Sequence, residues 1–237
     1  MNLILLFPED FIDVHSVILQ GARMEHIRDV LRAQTGDSVR VGVLNGLTGT
    51  GTIMAMIVNR VELNVNLSKV PPAPIPVTLL LAMPRPKCFR RILQGATTMG
   101  VKRIALFGAY KVEKSYWKSP WLEEMELRRQ LVLGLEQACD TVLPQVTLNP
   151  LFKPFIEDEV SVLAAGTRRL VAHPGAGTVC PANIHEPVTL VIGPEGGFTD
   201  YELGLMTEQG FECVTLGERI LRTEQAVPAL LGRLMGE

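Results

Sequence analysis

The pattern of apolar and polar positions changes character about a third of the way along the chain. Up to residue 70, apolar residues fall in short β-branched or aliphatic runs, separated by the turn sequences Thr35-Gly36-Asp37 and Asn45-Gly46. These runs predict strands at residues 3–6, 39–43, 52–58 and 63–67, with one short helix around residues 25–32. Short strands joined by tight turns predict a small N-terminal β-barrel.

A proline-rich segment, VPPAPIPV at residues 70–77, separates this region from the rest of the chain. It contains four prolines, and because proline has no N–H and a fixed φ, it cannot continue a helix or a central strand. We therefore predict a semi-rigid linker here, and two domains that span residues 1–70 and 71–237.

Beyond this linker, apolar strands alternate with amphipathic helices, which predicts an α/β fold with a parallel sheet. Strands are predicted at residues 77–82, 103–109, 170–173, 188–192 and 212–216. The first helix carries an apolar stripe at Phe89, Ile92, Leu93 and Ala96, outside which Arg90 and Arg91 fall. A second helix is predicted to begin at Ser119-Pro120 and to run to about residue 138.

Glycine-containing turns follow three of these strands, in the sequences AHPGAG, GPEGGF and GERILR. Open parallel sheets bind ligands beyond the carboxyl ends of their strands, so these turns are candidate ligand loops. In GPEGGF, Gly193, Gly196 and Gly197 permit close backbone approach, which favours a ligand loop over a purely structural turn. Thr199 and Glu202 then form a T-x-x-E capping box, which predicts a helix ending near residue 210.

The segment LGERILRTEQAVPALLGRL places Ile220 and Leu221, two apolar residues, inside a predicted loop. They either anchor that loop on the core or line a ligand pocket. Arg219 and Arg222 either form surface salt bridges, or hold a phosphate or stabilise an oxyanion. Because proline is tolerated only near a helix start, Pro228 predicts that the final helix begins near residue 225 or 226.

Several familiar motifs are absent from the sequence. No G-x-x-x-x-G-K-[ST] occurs, and the nearest G-x-G-x-x-G, which begins at Gly49, has Met54 in place of its third glycine. The absence of G-x-S-x-G excludes the commonest type of α/β hydrolase. The four cysteines form no C-x-x-C pair and the four histidines show no ligand spacing, so neither a disulfide framework nor a metal site is expected.

Composition and charge narrow the class of protein. Hydrophobic residues make up 47% of the 237 residues and charged residues 20%, as in a globular protein. The N-terminus lacks the features of a signal peptide, and the longest apolar run, residues 77–83, is too short to cross a bilayer. A cytoplasmic protein without a membrane association is therefore expected.

The formal net charge of −2 conceals an uneven distribution. Residues 84–118 contain nine Lys or Arg residues and one acid, a local balance of +8. Tyr110, Tyr116 and Trp117 are interleaved with these cations, a pattern typical of binding to a phosphate backbone with stacking on bases. The alternative is that the cations are solvated residues on strand ends and a helix face.

With IGPEGGFTDYE followed by LGERILRTEQA near its C-terminus, the chain resembles the RsmE family of SPOUT-class methyltransferases, which act on small-subunit ribosomal RNA. The resemblance covers nearly the whole chain. EHIRDVLRAQTGDSVRV is similar to the family's PUA-like barrel, and LAMPRPKCFRRILQGATTMGVKRI is similar to the start of its catalytic domain. Gln225 stands at a threonine position of the family pattern, and Cys139 stands at an arginine position. We expect the missing cation at Cys139 to weaken the contact with RNA or to alter the choice of substrate.

The resemblance implies a SPOUT-type parallel sheet with a deep trefoil knot, a homodimer, and methylation of a uridine at N3 in 16S rRNA with S-adenosylmethionine as cofactor. It implies that the cofactor is bound by His173, Gly193, Pro194, Glu195, Gly196, Gly197, Leu216, Gly217, Ile220, Leu221 and Arg222. The basic segment supplies the residues that we expect to bind RNA: Arg85, Lys87, Arg90, Arg91, Lys111, Lys114, Tyr116 and Trp117.

Methylation at N3 removes the imide proton while negative charge develops on the uracil ring, so the site needs a proton acceptor and a cation. We assign Arg222 to charge stabilisation and Glu224 as the candidate base. Two alternatives are an RNA-binding ribosome-assembly factor without catalysis and a phosphate-ester transferase that uses the helix N-terminus after GPEGG. The first predicts no cofactor binding, and the second predicts affinity for nucleoside phosphates.

Overall fold

The computed structural model describes residues 2–236, which group by their contacts into two compact units. The first unit contains the chain up to Ala73 together with Val132–Leu143, and the second contains Pro74–Leu131 and the chain from Pro144 onward. The division into domains 1–70 and 71–237 stays a prediction. The grouping by contacts differs from it because residues 132–143, which are distant in sequence, belong to the first unit.

The first unit is built on a curled five-stranded sheet in the order β1-β3-β4-β5-β2. Strands β1 and β3 are parallel, and the other neighbours are antiparallel. The strands are β1 (Ile4–Leu6), β2 (Ser16–Leu19), β3 (Ser38–Val43), β4 (Thr48–Ile57) and β5 (Arg60–Lys69). Between β2 and β3 lie α1 (Gly21–Glu25) and a π-helical turn (His26–Val30), close to the predicted helix.

Alternation of side chains gives this sheet one buried face. In β5, Val61, Leu63 and Val65 are buried, whereas the residues between them are partly or fully exposed. These side chains pack in one core with Val17 and Leu19 of β2, a strand that the sequence analysis did not predict. A strand of four residues offers only two inward positions, too few for a clear alternation.

The second unit contains seven parallel strands in the order β10-β12-β9-β11-β6-β7-β8. The strands are β6 (Val77–Ala82), β7 (Arg103–Phe107), β8 (Gln145–Asn149), β9 (Arg168–Ala172), β10 (Thr178–Val179), β11 (Val188–Ile192) and β12 (Glu212–Thr215). The helices are α2 (Pro86–Thr98), α3 (Glu124–Ala138), α4 (Phe152–Pro154), α5 (Val160–Leu163), α6 (Asp200–Glu208) and α7 (Thr223–Met235), with a π-helical turn at Phe155–Glu159. Helix α3 belongs to this unit only as far as Leu131, because its remainder groups with the first unit. The predicted mixed α/β architecture with a parallel sheet is confirmed.

The central strands of this sheet match their sequence pattern. All residues of β6 and β11 are buried, as expected for parallel strands that are covered on both faces. The apolar stripe of α2 is buried as well. The short outer strands β8 and β10 were not predicted, because their side chains are largely exposed and carry no apolar run.

The last helix begins earlier than the sequence indicated. Arg222 is extended (φ −68°, ψ 153°) and α7 begins at Thr223, so the predicted start at residue 225 or 226 is wrong. Pro228 therefore lies inside the helix, where it removes one backbone hydrogen bond. Burial of an apolar face, which includes Val227 and Leu231, keeps the helix intact around the proline. Within residues 2–236, no helix is both long and apolar enough to span a membrane.

Candidate active site

A cavity of about 260 Å³ opens at the carboxyl ends of three neighbouring strands, β9, β11 and β12. The chain leaves these strands at His173, Gly193 and Leu216, and all three residues line the cavity. Because the strands are parallel neighbours, the loops that follow them meet at one edge of the sheet. The structure thus brings the loops predicted from AHPGAG, GPEGGF and GERILR around one cavity.

The loop after β11 turns sharply between Pro194 and Gly197. The N–H of Gly197 donates a hydrogen bond of 2.8 Å to the carbonyl oxygen of Pro194, and Gly197 has a φ of +70°, which favours glycine. A Cβ atom on Gly193 would lie 3.0 Å from the ring of the buried Phe198. Two of the three predicted glycines are therefore required by backbone conformation or by packing.

Glu202 is a buried carboxylate, 2% exposed, at the start of α6. It accepts hydrogen bonds from the N–H and the hydroxyl of Thr199, at 2.8 and 2.9 Å, and its own N–H donates to the Thr199 hydroxyl. The predicted capping box is confirmed. The same carboxylate accepts a 2.7 Å hydrogen bond from the N–H of Tyr110, so it also holds the loop that follows β7.

Two further hydrogen bonds connect the GPEGGF loop with the basic segment. Lys111 donates from Nζ to the carbonyl oxygen of Gly196 at 2.8 Å, and the backbone N–H of Arg85 donates to Oε1 of Glu195 at 3.0 Å. The amine of Lys111 thus lies on the loop beside the cavity, and its predicted contact with RNA stays a prediction. These two bonds hold Glu195 and Gly196, the central residues of the loop, through residues that lie outside it.

The loop after β12 also contains a glycine in the left-handed region, Gly217, which follows Leu216 and has a φ of +124°. Its N–H donates to the hydroxyl of Thr215 at 3.3 Å. Ile220 and Leu221 line the cavity and are 79% and 37% exposed, so neither is buried in the core. Of the two interpretations of these residues, the structure supports the pocket lining and contradicts the core anchor.

The two predicted catalytic residues lie close together in sequence but have different surroundings. Arg222 is exposed and lines the cavity as the residue that precedes α7. Glu224, half-buried in the first turn of α7, does not line the cavity. Burial and, after it, the interaction with Glu224 raise the pKa of the Cys88 thiol in α2.

Part of the basic segment forms a second concave surface. Lys87, Arg90, Arg91 and Gln94 line a cavity of about 400 Å³ on α2. The guanidinium carbon of Arg90 lies 4.1 Å from the ring centroid of Trp121, a residue that the sequence analysis did not select.

The remaining predicted RNA-binding residues lie after β7. Lys114 is exposed, Trp117 is half-buried, and the hydroxyl of Tyr116 donates to Glu113 at 3.2 Å. Burial, followed by that hydrogen bond, raises the pKa of Tyr116.

Nine of the predicted cofactor residues line the first cavity, whereas Gly196 and Gly217 do not. The sequence analysis missed the apolar wall, which is formed by Ala172, Ile192, Phe198, Val214, Ala226 and Leu230. Ala172 and Ile192 are the last residues of β9 and β11, and Ala226 and Leu230 lie in the first two turns of α7. The ends of the predicted strands could therefore have identified part of this wall from the sequence. Among residues 2–236, no group of three or more His, Cys, Asp or Glu side chains could hold a metal ion.

Comparison with known proteins identifies the family of the chain. Residues 71–235 match the family model described as the RNA methyltransferase domain. The chain is 30% identical to ribosomal RNA small subunit methyltransferase E of Treponema pallidum, over 97% of this chain and 88% of that protein. It is 31% identical to the protein of the same name from Synechocystis sp., over 96% of this chain and 75% of that protein.

Solved structures give the same fold. The ribosomal RNA small subunit methyltransferase E of Neisseria gonorrhoeae, bound to S-adenosylmethionine, has a TM-score of 0.75 at 21% identity, over 97% of this chain and 95% of that chain. A Legionella pneumophila structure in complex with the same cofactor has a TM-score of 0.76 at 22% identity, over 98% and 96% of the two chains. With its family model, its relatives and its fold in agreement, the chain belongs to the RNA methyltransferase family and, within it, to the ribosomal RNA small subunit methyltransferase E proteins.

Proposed function

We propose that this protein transfers the methyl group of S-adenosylmethionine to N3 of a uridine in the 16S rRNA of the small ribosomal subunit. The observation that carries the proposal is the single cavity that the GPEGGF and GERILR loops form at the carboxyl ends of adjacent strands. The names of the relatives state methylation of small-subunit ribosomal RNA, and the two cofactor-bound structures share this fold.

The residues around the cavity suit S-adenosylmethionine. The wall formed by Ile192, Val214 and Leu230 is apolar, and Ile220 and Leu221 add exposed apolar side chains that an adenine ring would cover. The turns in the GPEGGF and GERILR loops bring backbone groups to the rim, where a ligand's polar groups can be bound. When bound, the cofactor supplies a methyl group on a positively charged sulfur.

Residues of the protein would then stabilise the negative charge that develops on the uracil and accept the proton that leaves N3. Arg222 lies on the cavity lining and carries a permanent positive charge, which stabilises the negative charge that develops on the uracil oxygens. Glu224 is the candidate acceptor of the N3 proton. Glu224 follows Arg222 by two residues in the chain, and Arg222 lines the cavity.

The finer features of the fold and assembly are part of the proposal. Strand β9 lies between β11 and β12, so the chain after β11 must pass β9 before it forms β12, which is compatible with a deep trefoil knot around the cavity. We take the curled sheet of the first unit as a PUA-like barrel that binds RNA. We also take the active form as a homodimer, which works in the cytoplasm because small ribosomal subunits are its substrate.

Transfer of a labelled methyl group from S-adenosylmethionine to small ribosomal subunits tests the proposal. Digestion of the 16S rRNA and mass spectrometry should identify N3-methyluridine. Arg222→Ala should reduce turnover by about 100-fold, as loss of one group that stabilises charge in a transition state does. Unchanged turnover would remove the role given to Arg222.

Calorimetry distinguishes the proposed enzyme from the non-catalytic alternative. An assembly factor without catalysis would show no heat of binding with S-adenosylmethionine, whereas the proposed enzyme binds it. The phosphate-ester transferase would bind nucleoside phosphates in the same titration. Sedimentation of the intact protein tests the homodimer.

A further inference from the structure

We propose that the exposed face of α2 is the site that holds the phosphate backbone of the RNA strand, and that Trp121 positions the guanidinium group of Arg90 for it. This inference rests on the proposed function, and it names the part of the substrate that this face binds. It also assigns a role to Trp121, which lies outside the predicted set.

Helical spacing collects the cations on one side of α2. Lys87, Arg90, Arg91 and Gln94 follow the spacing i, i+3, i+4 and i+7, so their side chains form a single stripe. Together they line the 400 Å³ cavity, and the three cations are exposed. The opposite side of the helix is buried and apolar. The stripe is therefore a concave, positively charged surface on a rigid element.

The charge of this stripe is not neutralised within the protein. In the part of the chain that the structure describes, no carboxylate forms an ion pair with Lys87, Arg90 or Arg91. Glu126 belongs to the neighbouring helix α3, and its carboxylate accepts hydrogen bonds from Arg129 and Gln130. Three cations without acidic partners on one helix face have the charge complementarity that a phosphate backbone requires.

Arg90 is held in place before any ligand binds. Its guanidinium carbon lies over the ring of Trp121 at 4.1 Å, the distance of a cation–π contact. No hydrogen-bond acceptor takes its N–H groups among residues 2–236, so the donors remain available for a planar acceptor such as phosphate. A side chain that is already ordered loses less entropy on binding. Trp121 is thus a positioning residue for Arg90.

A second contact orders the other end of the stripe. Gln94 donates from Nε2 to Oε1 of Gln130 in α3 at 2.6 Å, and Gln130 is 1% exposed. Both polar side chains at the margin of the surface, Trp121 and Gln130, therefore come from the segment that follows β7. The surface is built from two elements rather than from one flexible helix.

The stripe also lies next to the proposed active site. Arg85, the residue that precedes α2, donates its backbone N–H to Oε1 of Glu195 at 3.0 Å, and Glu195 lines the cofactor cavity. A strand whose phosphates bind along α2 therefore passes beside the cavity in which its base reacts. Lys111 is not part of this surface, because its amine is bonded to Gly196.

Salt-dependent binding to a naked 16S rRNA transcript tests this inference. The double variant Lys87→Gln, Arg91→Gln removes two charges, whereas Arg103→Gln removes one charge from the amino end of β7 in the same basic segment. Each lost phosphate contact should reduce the slope of log K against log salt by about 0.7 to 0.9, so the double variant should lose roughly 1.5. The control should keep the wild-type slope.

Arg90→Lys tests the positioning by Trp121 without changing charge. Because lysine cannot present a planar fork, affinity for the transcript should fall roughly fivefold at an unchanged salt slope, and Trp121→Leu should have the same effect. Equal affinity of Arg90→Lys and wild type, or equal slopes of the double variant and Arg103→Gln, would overturn the inference. Weaker binding to intact small subunits with unchanged binding to the transcript would overturn it too, since that result identifies an acidic protein as the partner.

The outcome is separable from that of the proposed function. All variants should bind S-adenosylmethionine as the wild type does, because none of the changed residues lines the cofactor cavity. If the wild-type protein did not bind the cofactor and did not transfer methyl groups, the proposed function would fail. The salt dependence of transcript binding would still show whether α2 binds phosphates.

Discussion

The side chain of Lys111 donates a hydrogen bond of 2.8 Å to the carbonyl oxygen of Gly196, a residue 85 positions later in the chain. The bond connects the segment after β7 with the GPEGGF loop on the rim of the candidate cofactor cavity. A Cβ atom on Gly196 would lie 3.0 Å from Cδ of the same lysine, so the aliphatic part of Lys111 occupies the space beside Gly196 that a larger residue would need. Lys111 thus restrains the loop through both charge and packing.

Replacement of Lys111 by methionine should weaken S-adenosylmethionine binding. Methionine keeps much of the packing but removes the charged donor, and an exposed bond of this kind contributes about 1 kcal/mol, which corresponds to roughly fivefold in affinity. Isothermal titration calorimetry measures the effect directly. Lys118→Met, which changes an exposed lysine of the same segment, is the matched control. Equal dissociation constants for the two variants would show that the bond does not order the loop.

Gly193→Ala should destabilise the second unit. The new methyl group would lie 3.0 Å from the ring of Phe198, which is buried and stacks against Phe107 with 6.2 Å between ring centroids. Overpacking of this kind costs about 1–3 kcal/mol. Gly204 in α6 has no atom within 4 Å of its hypothetical Cβ, so Gly204→Ala should stabilise the protein by up to about 1 kcal/mol.

Urea unfolding followed by tryptophan fluorescence measures both changes, because both tryptophans belong to the second unit. The two glycine variants should move the midpoint in opposite directions. A urea midpoint for Gly193→Ala at or above the wild-type value would mean that Phe198 can move aside without a loss of folding free energy.

Elements with strong local patterns could be predicted from the sequence, and contacts between distant segments could not. The predicted ranges 77–82 and 188–192 coincide with β6 and β11, since buried parallel strands are continuous apolar runs. The capping box at Thr199 and Glu202 was equally local.

The remaining features depend on side chains that meet only in the fold. Lys111 was assigned to RNA because its charge is visible in the sequence, whereas its acceptor is a backbone carbonyl. Trp117 was selected because it lies within the basic segment of residues 84–118, whereas Trp121, the ring that lies under Arg90, falls three residues beyond that segment. The position of Glu224 against Cys88 likewise depends on the packing of α2 against α7.

The contact between Cys88 and Glu224 predicts the reactivity of the thiol. Burial and then the hydrogen bond to Glu224 raise the pKa of Cys88, so Glu224→Gln should lower that pKa and increase the thiolate fraction near pH 8. Alkylation with iodoacetamide, followed by mass spectrometry of the Cys88 peptide, should therefore be faster in the variant. Cys213, whose pKa is raised by burial alone, is the internal control. The same labelling rate of Cys88 in both proteins would place Glu224 away from the thiol.

Glu136 predicts a pH dependence of stability in the first unit. It is 4% exposed, and its burial raises the pKa of the carboxyl from 4.5 to about 6, although the N–H of Leu5 and the charge of Arg23 act in the opposite direction. Below pH 4.5 the carboxyl is protonated in both the folded and unfolded states. Between pH 4.5 and 6 the unfolded state loses its proton first, so stability falls by up to about 2 kcal/mol as the pH rises through this range.

Glu136→Gln should remove this loss, because the amide keeps an acceptor for the N–H of Leu5 and carries no charge. The variant should match the wild type near pH 4.5 and exceed its free energy of unfolding at pH 7.5. Urea unfolding followed by circular dichroism at both pH values measures the difference, with the exposed Glu123→Gln as control. If Glu136→Gln were less stable than the wild type at pH 7.5, the ionised carboxylate would be stabilising the fold, and its partner would have to be a cation as close as Arg23.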